Sequence, residues 1–170
     1  STTVGWGAWC LFGGVVYYCF GVWDETEKKA PINALEMGGL FLGHAAFAAV
    51  VKNRRLPVDF RHESTCRAVS LRFRARSDND TTVSGTNTWQ TNSVLSNRVL
   101  KLLYVDMAMA HTVIDASHIP GEPHNKGADL LSRGQPAEFL TFVHLRGVPD
   151  CTLVQVPAST RARLRAALSS

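Results

Sequence analysis

The stretch "RAVSLRFRAR" alternates without a break: Val69, Leu71, Phe73 and Ala75 fall on one side, Ser70, Arg72, Arg74 and Arg76 on the other. Such a period of two describes a strand with one apolar face, and slipping it by one residue would bury the arginines. What flanks it limits the fold further. Ahead lies "INALEMGGLFLGHAAFAAVV", rich in Ala and Leu and long enough for a helix, with Pro31 and Asn33 marking its start. Behind lie "TTVSGTNTW" and "SVLSNRVLKLLYVDMAMAH", which read as one or two helices, the second carrying Val94, Leu95, Val99, Leu102 and Leu103 as its apolar stripe. Then "TVIDAS" reads as a strand and "GADLLSR" as a helix. Strands separated by helices imply right-handed crossovers and a partly parallel sheet.

At the front, Gly5 to Phe12 and Val15 to Trp23 are rich in Val, Tyr, Trp and Phe and are joined by Gly13-Gly14. That is the signature of a two-residue hairpin. The apolar run "WCLFGGVVYYCFGVW" is broken by Gly13, Gly14 and Gly21 and is too short and too aromatic for a membrane span, so no membrane partner is expected. "DETEKKAP" follows as a charged loop. After Gly134 the text turns irregular, with Pro136, Pro149 and Pro157, and closes on "STRARLRAALSS", a short basic helix. The expected fold class is α/β, with a mixed central sheet that joins an antiparallel hairpin to parallel strands flanked by helices.

At 170 residues and 45% hydrophobic, the chain suits one globular domain plus a tail. Its net charge of +4 and pI near 9.1 favour a polyanionic partner over an acidic small molecule. Cys10, Cys19, Cys66 and Cys151 form no CxxC pair, which argues against zinc and against a disulfide framework and points to reduced thiols in an intracellular protein. The chain begins "STTVGWG", without a methionine, so it is either processed or a piece of something longer. The sequon at Asn79 has no signal peptide beside it.

Three carboxylates belong together in such a fold. Asp78 ends the alternating strand, and Asp129 opens the helix after the last strand. Both therefore sit at the carboxyl ends of parallel strands, where ligands of open α/β sheets gather. Glu36 lies in the first turn of the first helix, and only a resemblance of motifs sets it beside the other two. Clustered carboxylates stay ionised when cations neutralise them, and hard oxygen ligands suit Mg²⁺ or Mn²⁺. Two such ions about 3.5–4 Å apart can activate water and stabilise the leaving oxygen of a phosphodiester. Each residue also has a plainer reading: Asn33-x-x-Glu36 as a capping box, Asp129 as a helix N-terminal charge, "SDN" as a strand-end turn.

"VGWGAW", "INALEM", "RSDND" and "HIPGEPHNKGADLLSR", in that order, resemble the RNase H domain attached to reverse transcriptases of retroelements. The likeness is to DIRS-type (tyrosine-recombinase) and Ty3-like retrotransposons, with a fainter similarity to the hepadnaviral polymerase, and it covers roughly Ser1 to Gly134. The resemblance implies an RNase H-like domain over residues 1–134 and a C-terminal extension over 135–170. It implies cleavage of the RNA strand of an RNA–DNA hybrid with two Mg²⁺ (or Mn²⁺) ions, in a polyprotein that carries the reverse transcriptase domain. By motif, Glu36, Asp78 and Asp129 match the second, third and fourth of the family's four carboxylates. The first belongs to a strand that would end just before Ser1-Thr2-Thr3. That strand is expected in the middle of the sheet, between the hairpin and the arginine-rich strand, and without it the chain is expected to be poorly packed and inactive.

The resemblance also places His124 near the site, as the counterpart of a mobile His that helps product leave, although neither His118 nor His124 aligns fully. Trp89 matches the aromatic that ends the corresponding helix of cellular enzymes. Arg72, Arg74 and Arg76, with Asn79 and Asn125, are expected to contact nucleic acid. Arg54-Arg55 and the Arg161, Arg163, Arg165 series are further basic candidates, with a solvated charged face as the simpler account of the tail. Two other functions stay open: a degenerate module that grips nucleic acid without cutting, and an integrase or resolvase relative, against which "PGEPHNKGAD" argues.

Overall fold

A computed structural model describes residues 4–54, 71–121 and 124–169. Arg55, Cys66, Val69 and Ser70 lie outside the described residues. The chain opens with β1 (Gly5–Phe12) and β2 (Val15–Val22), paired antiparallel from Gly5↔Val22 to Phe12↔Val15. Gly13 and Gly14 both take positive φ, 59° and 77°, the combination a tight hairpin turn of this hand needs and one that side chains resist. A long helix, α1 (Ile32–Arg54), follows. β3 (Leu71–Ser77) leads into α2 (Asp80–Thr88) and α3 (Val94–Ala110), and β4 (Thr112–His118) then returns parallel to β3. α4 (Lys126–Ser132), α5 (Pro136–His144), β5 (Cys151–Leu153) and α6 (Ala158–Leu168) complete the order.

The protein is mixed α/β, with its strands in two sheets. One has the order β1-β2-β5 and combines the antiparallel hairpin with a parallel β2–β5 pair; the other is the parallel pair β3-β4. The single central sheet expected from the sequence is thus divided. Among the described residues β1 is laddered only to β2, and β3 only to β4. α1 joins the two sheets. Its Gly43 passes so close to β1 that an added Cβ would lie 2.7 Å from Ala8 Cβ, and its His44 ring packs edge-on to Phe73 of β3 at 5.6 Å.

The main core lies on this side, where Trp6, Tyr17 and Trp23 meet Leu35, Phe41 and Leu42 of α1, Leu103 of α3 and Leu164 of α6. A second core on the other side of the hairpin gathers Val16, Tyr18, Leu131, Phe139, Phe142 and Val143. α1 is long and apolar enough to cross a membrane by length and composition, but most of it is buried inside the protein. Its apolar surface is already covered by the strands and helices packed around it.

α5 and β5 correct the irregular structure expected after Gly134, while α6 is the short basic helix expected at the end. Pro136 occupies the first turn of α5 and Pro157 the cap position of α6, places where proline's missing N–H costs nothing. The charged "DETEKKAP" loop holds a 3₁₀ turn, Glu27–Lys29, closed reciprocally: Asp24 Oδ1 accepts from Glu27 N at 2.8 Å and Glu27 Oε2 accepts from Asp24 N at 2.8 Å.

His44 is buried between α1 and β4, its Nε2 2.7 Å from Thr112 Oγ1. Burial pushes its pKa down to about 4, partly opposed by Asp106. The native state therefore keeps it neutral where the unfolded chain takes up a proton. Its contribution is intact above about pH 6.5 and is lost progressively as pH falls toward 4, amounting to about 3 kcal/mol. Urea unfolding at neutral pH and near pH 4.5 should show this loss, and His44→Leu should flatten that segment of the pH profile. An unchanged slope in the variant would place the acid sensitivity elsewhere.

Candidate active site

β3 and β4 run in the same direction, so their carboxyl ends open at one end of the sheet, with Ser77 opposite His118. Asp78 leaves β3 there and is exposed. Asn79 caps α2, its Oδ1 accepting from Thr82 N at 2.9 Å, and donates from Nδ2 to Asn33 Oδ1 at 3.0 Å. That bond ties the first turn of α1 to the end of β3. Asn33 is inside α1 and not at its cap position, so the Asn33-x-x-Glu36 capping box is not what this segment forms. Glu36, expected in the first turn, lies one turn further along α1, because the helix starts at Ile32, and is half-buried.

The loop after β4 comes to the same end. Ile119 N donates to Ser77 O at 2.9 Å, and Asp78 Oδ2 lies 3.7 Å from the position a Cβ on Gly121 would take. Asn125 N then closes a turn on Gly121 O at 2.8 Å and Asn125 O accepts Asp129 N at 3.1 Å, which starts α4. Three segments far apart in sequence, the first turn of α1, "SDN" and the "HIPG" loop, thus meet. His124 is exposed in that loop, while His118 Nε2 stands 3.6 Å from Asp80 Oδ1.

Asp129 faces a cation of the chain itself. Arg133 Nε donates to both of its oxygens at 2.9 Å, the i,i+4 geometry of a helix ion pair. Among the described residues no three His, Cys, Asp or Glu side chains form a group able to hold a metal ion. The donor chemistry of Glu36, Asp78 and Asp129 suits Mg²⁺ or Mn²⁺, but as arranged these residues do not fit around such an ion.

The arginines divide into two sets. Arg72, Arg74 and Arg76 are exposed on β3, opposite the inward Phe73 and Ala75. A central strand would have helices on both faces; here the arginine face is open. Arg72 Nη1 pairs with Asp115 Oδ2 of β4 at 2.7 Å, and Arg74 and Arg76 have no ion-pair partner among the described residues. Arg161, Arg163 and Arg165 of α6 are all spent internally, on Glu27, Asp106 and Asp24 at 2.7, 2.7 and 2.8 Å. They hold the protein together and do not offer a free basic face.

Sequence reasoning misses two partners of the expected site residues, Asn33 and Arg133. The second is visible as Asp-x-x-x-Arg in a helix; the first has no signal, being a contact between segments 46 positions apart. No family model, curated protein or solved structure matches the chain.

Proposed function

We propose that the chain is an RNase H-like domain of a retroelement reverse transcriptase, which takes RNA–DNA hybrid at the carboxyl ends of β3 and β4 and hydrolyses the RNA strand there. The observation that carries this reading is the meeting of three separated motifs at one end of the β3-β4 pair, through the Asn79–Asn33 hydrogen bond and the approach of Gly121 to Asp78. The resemblance places Asp78 on the second of these segments, Glu36 one turn along α1 from the first, and Asp129 in the first turn of α4, the helix that follows the third. The arrangement of strands also agrees with it: β1 and β3 each keep one edge without a ladder partner among the described residues, and the family has one strand between them.

A second reading, a module that grips hybrid without cutting it, is favoured by the Arg133 pair on Asp129 and by the lack of a three-ligand metal group among the described residues. One assay separates the two. With the chain given the strand that the resemblance sets ahead of Ser1, and labelled RNA–DNA hybrid, duplex DNA and duplex RNA in Mg²⁺ buffer, the first reading expects the RNA of the hybrid alone to be shortened. Hybrid bound in preference to duplex DNA but left intact establishes the second. Equal binding of all three, with no cleavage, overturns both.

A further inference from the structure

The open face of β3-β4 carries one row of cations. Arg72, Arg74 and Arg76 alternate along β3, and the next residue in the same alternation is the exposed Asp78. Alternate residues of a strand stand about 6.6 Å apart. This is close to the separation of successive phosphates along an extended nucleic-acid strand, so each arginine can meet one phosphate. The neighbouring row on β4 is different. Val113, Asp115 and Ser117 are exposed there and supply no cation, and Asp115 already neutralises Arg72.

A duplex presents two backbones to a protein surface, and this face offers positive charge to only one. No aromatic ring joins the exposed row of either strand, so stacking on bases is not available, and what the face can bind is phosphate without regard to sequence. The inward residues Phe73, Ala75 and Ile114 belong to the core, which fixes the register of the row. We propose that the Arg72-Arg74-Arg76 face binds the sugar–phosphate backbone of a single strand and leads it toward Asp78, a surface distinct from the hybrid site. The proposal rests on the functional reading above for what lies at the Asp78 end, but the binding itself does not.

The test uses the whole chain and a short fluorescein-labelled oligouridine, titrated by anisotropy over a series of salt concentrations. For single strands the slope of log K against log salt changes by about 0.7 for each phosphate that the protein ceases to neutralise. Arg74→Gln with Arg76→Gln should therefore lower the slope by about 1.4. Asp115→Asn, which frees Arg72, should tighten binding and raise the slope. Thermal melts of both variants should match the parent, since all three positions are exposed.

An unchanged slope in the double variant, or no gain from Asp115→Asn, overturns the proposal. If hybrid is cleaved while these slopes do not move, the single-strand surface is wrong and the functional reading stands. If the slopes move as expected while hybrid is neither bound nor cut, the surface stands and the functional reading fails.

Discussion

Replacing Arg161 by Met should lower the unfolding free energy by about 3–5 kcal/mol, the cost of leaving a buried charge without its partner. The side chain of Glu27 is fully buried, and Arg161 Nη2 sits 2.7 Å from its Oε2, with Nε 3.4 Å from Oε1. The same guanidinium donates to Val22 O. Glu27 Oε2 also accepts Asp24 N, so one carboxylate fixes the turn after β2 and the angle at which α6 arrives. Removing the arginine strands that carboxylate in a site water does not reach. Adding Glu27→Gln to Arg161→Met should recover much of the loss, because an amide is far cheaper to bury than an unpaired carboxylate. Urea unfolding followed by circular dichroism measures all three proteins. A loss below about 1 kcal/mol, the size expected of a solvated surface pair, would contradict the buried geometry.

The result bears on how the chain is organised. α6 packs Leu164 and Leu168 into the main core, and Phe139 of α5 is at the centre of the second. These elements cover both faces of the hairpin sheet, and β5 extends it beside β2.

Local pattern makes much of this legible. The Gly13-Gly14 turn and the alternation of Leu71 to Arg76 are each written within one element, by sterics or by burial on one side, and appear where the sequence places them. Of the stripe expected on α3, Val99 and Leu103 are buried, but Val94 is exposed and Leu100 and Met107 are buried in addition. α5 and β5 escape a reading that takes Pro136 for a break, because proline in the first helical turn is as good a start as a stop. The openness of the arginine face is not legible either. A strand's own alternation says which side is apolar; it does not say whether another helix covers the polar side.

At the candidate site, Asp78 can be placed from sequence because a strand end is a local feature. The neighbours that decide its surroundings come from α1 and from the loop after β4. Asn33 reaches Asn79, and Gly121 reaches Asp78, through tertiary packing that no period in the sequence records. Arg133 is the opposite case, since its i,i+4 spacing to Asp129 announces a pair on any helix. Whether that pair opens for a substrate is a question of chemistry, and hydrolysis answers it.

Asp78→Asn should reduce cleavage of the RNA strand by about two to four orders of magnitude, the range typical of losing a group that acts on the reacting atoms. The amide keeps the size of the side chain, and Asp78 is exposed, so the fold and the affinity for hybrid should persist. Asn79, which holds α1 to β3 through Asn33, is left in place. The measurement is the length of labelled RNA after incubation of RNA–DNA hybrid with a parent chain given the strand that the resemblance sets ahead of Ser1, and with the same protein carrying Asp78→Asn, hybrid binding being measured alongside. Shortened RNA is expected with the parent, intact RNA with the variant, and equal binding by both. Cleavage at the same rate by the two proteins would contradict the assignment of the site to the carboxyl end of β3.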